Sequence, residues 1–134
     1  MIKLNNILLI DDDYPTIYLH QLHIKSINAA DNVVTVNDGL KALNLLKNQV
    51  DNKIFKPELI LLDINMPVMN GWEFLEEFEK FDDKFKNEII IIMVTTSVNP
   101  EEKIRASKYP RISGFVVKPI SEDTIVQILN KHFK

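Results

Sequence analysis

The chain has 134 residues, 46% of them hydrophobic and 26% charged, the size and composition of one soluble domain whose core needs no covalent staples. It has no cysteine, which excludes disulfide frameworks, thiolate zinc centres and thiol nucleophiles. A formal net charge of -3 with no basic run argues against nucleic-acid binding, and the short apolar run before three aspartates is no signal peptide or membrane span. A single cytoplasmic domain over residues 1–134 is expected, complete as it stands and without an output domain.

Taken in chain order, five short apolar runs predict strands at residues 7–10, 33–36, 59–62, 89–94 and 115–117. Four are almost pure Ile, Leu, Val or Met without alternation, as in strands covered on both faces. A first helix is expected from about Pro15 to Ile27, with a loose apolar stripe. Leu43, Leu46 and Val50 recur at helical spacing after Asp38-Gly39, and Phe74, Phe78 and Phe81 do so after Asn70-Gly71. Asn99-Pro100 opens a helix with proline at its first position. Ser121 caps a last one whose Ile125, Ile128 and Leu129 face inward. The charged stretches 47–56 and 80–87 are expected to be surface connections.

Strand and helix alternating five times predict a parallel, doubly wound sheet with helices on both faces. Right-handed crossovers put every loop that follows a strand on one edge, the edge where ligands bind in such sheets. The polar residues at the strand ends therefore converge: Asp11, Asp12 and Asp13 after the first, Asp63 after the third, Thr95 after the fourth, Lys118 after the fifth. Crowded carboxylates need a counter-charge, and Mg²⁺ suits them because it takes one or two carboxylates with water and phosphate oxygens. Aspartate is also a covalent phosphoryl acceptor, for which lysine and threonine bind the transferred oxygens. Spacing does not say which aspartate would be the acceptor.

The motifs are closely similar to those of response-regulator receiver domains along nearly the whole chain. Ile7-Leu-Leu-Ile-Asp11-Asp12-Asp13 resembles the family's acidic first strand end, and Leu59-Ile-Leu-Leu-Asp63-Ile-Asn-Met-Pro67-Val-Met-Asn-Gly71 its acceptor segment. Ile92-Met-Val-Thr95-Thr96 and Gly114-Phe115-Val-Val-Lys118-Pro119 resemble the fourth and fifth strands. The resemblance implies a five-stranded, flavodoxin-like order 2-1-3-4-5 and a two-component or phosphorelay switch, not a metabolic enzyme. It implies Asp63 as phosphoacceptor, and Mg²⁺ held by Asp11, Asp12, Asp63 and the Asn65 carbonyl. Thr95, Lys118 and the Thr96 N–H would bind phosphoryl oxygens, Thr95 and Phe115 would be the switch pair, and Lys118-Pro119 would be cis. The donor would be a sensor histidine kinase or a histidine phosphotransfer protein. Output would pass to an unknown downstream protein from a monomer or weak dimer, through the face of the fourth and fifth helices and the fifth strand. Two positions depart from the pattern: Thr96 is larger than the family's usual residue, and Phe115 has no hydroxyl to bond.

Other readings are weaker. A haloacid-dehalogenase-type phosphatase needs Thr or Val where Pro15 stands, and three scattered glycines build no phosphate-cradling loop. A receiver-fold module that signals without phosphorylation is the main alternative, and the intact Asp12, Asp63, Thr95 and Lys118 set argues against it. Asp13 reads as a helix cap or solvated loop residue, Met66 and Met69 as packing, and Trp72 as a partly buried anchor. His20 and His23 lack a third ligand and are assigned packing or surface roles, and His132 sits at a helix end that tolerates a cation.

Overall fold

The computed structural model describes residues 2–52, 55–96 and 99–133. Five strands, β1 (Leu4–Ile10), β2 (Ala30–Val36), β3 (Leu59–Asp63), β4 (Ile90–Thr95) and β5 (Ile112–Val117), form one parallel sheet in the order β2-β1-β3-β4-β5. Among the described residues, six helices connect and cover them: α1 (Tyr14–Ser26), α2 (Gly39–Asn52), α3 (Gly71–Phe78), α4 (Asp83–Asn87), α5 (Pro100–Ser107) and α6 (Glu122–His132). The expected fold is the observed one. Strand order reverses between β1 and β3, so the loops after these two strands flank the sheet's natural ligand crevice.

Alternation along each central strand divides the core into two layers. Leu8, Ile10, Ile60, Leu62, Ile91 and Met93 pack with Leu43, Leu46, Phe74 and Phe78, on the side of α2, α3 and α5. Ile7, Leu9, Leu59, Leu61, Ile92 and Val94 pack with Ile24, Ile125, Ile128 and Leu129, on the side of α1 and α6. The central strands β1, β3 and β4 are buried, whereas the edge strands β2 and β5 are only half-covered.

Two expected surface connections are corrected. Residues 47–52 continue α2, so only the rest of the stretch to Lys56 is a connection; the side chain of Val50, expected on the inner stripe, lies outside the described residues, as do positions 53 and 54. The stretch 80–87 contains α4, capped by the Asp82 side chain on the Phe85 N–H and burying Phe85 and Lys86. This extra helix shifts the numbering, so the expected output face is that of α5, β5 and α6. In α1 the inward positions are Ile17, His20 and Ile24. A histidine in the middle of the buried row is why the apolar stripe looked loose.

Candidate functional site

The acidic end of β1 is built by local bonds. Asp13 caps α1, accepting from the Thr16 N–H at 3.2 Å and from the Thr16 hydroxyl, which holds its carboxyl below the usual range. The Asp13 N–H donates to Asp11 Oδ1 at 2.9 Å, leaving Asp11 buried while Asp12 is exposed. Asp63 ends β3, buried, and the loop beyond it is drawn back over the strand. The Gly71 N–H donates to the Ile64 carbonyl at 2.7 Å, and a Cβ on Gly71 would lie 2.5 Å from the Asp63 carbonyl oxygen. No side chain fits there, which is the physical reason for glycine at this position. An Asn70–Glu73 capping box then starts α3.

The fifth strand delivers the cation. The Lys118 N–H donates to the Thr95 carbonyl at 2.7 Å, tying the ends of β4 and β5 together, and the Lys118-Pro119 peptide is cis as expected. Lys118 Nζ lies 2.7 Å from Asp11 Oδ2 and 3.0 Å from Asp63 Oδ1, with all three side chains almost fully buried. Burial and then the charge of Asp11 push Asp63 up to about 6 despite the pull of Lys118. Burial alone would lower Lys118, but its bonds to Asp11 and the charges of both carboxylates outweigh that and hold its pKa above the ordinary value.

Carboxylate oxygens of Asp11, Asp12 and Asp63 lie within 4.8 Å of one another. Three carboxylates face one ammonium, and the surplus negative charge is what a hard divalent cation with oxygen ligands would neutralise. The donor set therefore fits Mg²⁺. Asn65 is exposed in the loop two residues beyond Asp63, and Thr96 is exposed just past β4. Thr95 is buried at the end of β4, and its hydroxyl donates to Glu102 Oε1 at 3.1 Å. Phe115 is half-buried, paired in register with Met93 and packed against the α3–α5 layer.

Three contacts around this cluster, those of His20, His23 and Glu102, were not legible in the sequence. The buried His20 Nε2 accepts from the Ile120 N–H at 2.9 Å, and His23 Nδ1 lies 2.9 Å from the Ile120 carbonyl. Both backbone groups of the residue after Pro119 are thus held by α1, which anchors the loop carrying Lys118. The position of His20 between Ile17 and Ile24 was the available signal. Glu102 gave none, being one acidic residue among those of a helix first turn. Trp72 is a buried anchor: its ring lies 5.2 Å from Tyr109 and 4.4 Å from the Arg105 guanidinium.

A doubly wound sheet with carboxylates and an ammonium gathered where its strand order reverses defines a class of α/β domain with its ligand site at the carboxyl edge. Residues 7–130 match the model of the response regulator receiver domain, and the chain belongs to that family. It is similar to the sensor histidine kinase CheAY of Helicobacter pylori, 32% identical over 102 residues, which are 76% of this chain and only 12% of that protein. It is 28% identical to the chemotaxis protein CheY-3 of Vibrio cholerae over 127 residues, 95% of this chain and 91% of that one. A two-component response regulator from Cytophaga hutchinsonii has the same fold, with a TM-score of 0.88, 29% identity and 96% of each chain covered. Family and relatives together place the chain among two-component signalling proteins. No described helix is long and apolar enough to cross a membrane.

Proposed function

We propose that this chain is a signalling switch in which Asp63 takes a phosphoryl group from a phosphohistidine on a sensor histidine kinase or histidine phosphotransfer protein. The observation that carries the reading is the Lys118 ammonium 3.0 Å from Asp63 and 2.7 Å from Asp11, inside a cluster with a surplus carboxylate. Asp11, Asp12, Asp63 and the Asn65 carbonyl would hold Mg²⁺, which when bound neutralises charge between the acceptor carboxylate and the phosphoryl oxygens.

An Asp63 carboxylate oxygen attacks phosphorus, the donor's N–P bond breaks, and its electron pair returns to the imidazole nitrogen. Lys118 turns from Asp63 to a phosphoryl oxygen, the Thr95 hydroxyl donates to a second, and the Thr96 N–H to a third. The phosphoryl group adds roughly -1.5 to -2 charges. Thr95 is drawn toward it, Phe115 fills the space behind Thr95, and the face of α5, β5 and α6 changes for a downstream partner. Hydrolysis of the acyl phosphate resets the site. A cytoplasmic monomer or weak dimer suits this role.

The test is incubation with Mg²⁺ and acetyl phosphate, followed by intact mass. One base-labile phosphoryl adduct is expected on the wild type, dependent on Mg²⁺ and absent from Asp63→Asn. An unlabelled wild type, or equal labelling of the variant, overturns the assignment.

A further inference from the structure

We infer that Glu102, in the first turn of α5, is a positioning residue that commits the Thr95 proton to α5 until a phosphoryl group competes for it. This inference rests on the proposed reading of Asp63 as acceptor and Thr95 as phosphoryl ligand. Thr95 continues the row of Ile91 and Met93, which face the α3–α5 side, whereas Asp63 continues Leu59 and Leu61 on the α1–α6 side. The strand alternation alone thus turns Thr95 toward α5. There the hydroxyl of Thr95, a residue only 1% exposed, donates to Glu102 Oε1 at 3.1 Å.

A carboxylate only accepts, so the shared proton belongs to Thr95, and a hydroxyl has one proton to give. Donation to Glu102 and donation to a phosphoryl oxygen are therefore mutually exclusive. Glu102 is fixed for this task. Its N–H donates to the Asn99 carbonyl at 3.1 Å, the Asn99 side chain caps the Glu101 N–H at 3.0 Å, and a helix N-terminus favours an anion in its first turn. Two consequences follow. Affinity for a phosphoryl group is reduced by the cost of taking Thr95 from Glu102. The release of Glu102 is felt in the first turn of α5, so occupancy of the site reaches that helix through one hydrogen bond.

The experiment measures binding of fluoroberyllate, a phosphoryl mimic, with Mg²⁺ by calorimetry for the full chain and for Glu102→Ala, Glu102→Gln, Thr95→Val and the double variant Thr95→Val/Glu102→Ala. Glu102→Ala is expected to bind about 3- to 10-fold tighter than wild type, the scale of one ordinary intramolecular hydrogen bond net of solvation. Glu102→Gln stays near wild type because its amide oxygen still accepts. The double variant matches Thr95→Val. Equal affinity of Glu102→Ala and wild type overturns the inference. So does a gain by Glu102→Gln equal to that of Glu102→Ala, or a gain that survives in the Thr95→Val background, since both outcomes mean that charge alone acts. A wild type that binds no fluoroberyllate overturns the acceptor reading itself, and this inference with it.

Discussion

Two charge clusters, one at the carboxyl edge of the sheet and one around α4, bury a lysine each and end in opposite states. Lys86 bonds the Glu79 carbonyl at 2.6 Å and its carboxylate at 3.2 Å, with Asp83 at 3.3 Å, while Arg111 meets Glu79 at 2.6 Å and the Asn87 side chain at 3.0 Å. Two cations there balance two carboxylates, and Glu79 is held below the usual carboxylate range, chiefly by the Arg111 bond. At the edge, one ammonium serves three carboxylates, and Asp63 is pushed up to about 6. Burial is common to both. What separates a fastening from a site is the unbalanced charge, which only an incoming ligand can settle.

The fastening side is the easier to break. Phe78 is fully buried, stacked 5.8 Å from Phe74 and meeting Phe81 edge-on at 5.6 Å. Phe78→Ala is expected to cost about 3–5 kcal/mol in urea unfolding, without changing which residue is labelled.

His20 borders the site and separates the two regions by pH. Burial lowers its pKa to about 4 from the ordinary 6.5, so the unfolded chain takes the proton first. Its contribution is complete above pH 6.5 and is lost as pH falls toward 4. Between pH 7 and 4.5 the wild type should lose about 2–3 kcal/mol more than His20→Gln, as read by urea titrations at both values. Parallel losses would mean that the imidazole carries no such linkage.

Asp63 works in the other direction. Its pKa is raised, so the folded chain binds a proton before the unfolded one, and the destabilising charge is fully felt above pH 6. Asp63→Asn without metal at pH 7.5 should gain about 1–3 kcal/mol, while an equivalent gain is not expected on neutralising Glu79. The smallest effect lies in the loop next to Asp63. Val68 has φ 67°, a left-handed conformation costly for a β-branched side chain, between the Met69 N–H and Pro67 carbonyl bonded at 2.7 Å. Val68→Asn should stabilise by about 1 kcal/mol, measured by the same titration.

The same contrast explains what was legible in the sequence. Asp11, Asp63, Thr95 and Lys118 each follow an apolar run, so the strand pattern located the edge and the polar ends fell onto it. The balanced cluster was missed because α4 is five residues long and its inward side is one phenylalanine and a lysine stem, too little for a helical period. The polar residues on either side of Val50, Lys47 to Gln49 and Asp51 to Asn52, concealed the end of α2 in the same way. His20 and Glu102 act through contacts to residues 100 and seven positions away, Ile120 and Thr95, which no local pattern encodes.

Chemical trapping of the labelled residue reaches the centre of this account most directly. Borohydride reduces an aspartyl phosphate to homoserine, so protein treated with Mg²⁺ and acetyl phosphate, reduced and digested, reports the acceptor in its peptide masses. Homoserine at position 63 is the predicted result. Homoserine at 11 or 12, or none anywhere, would contradict it.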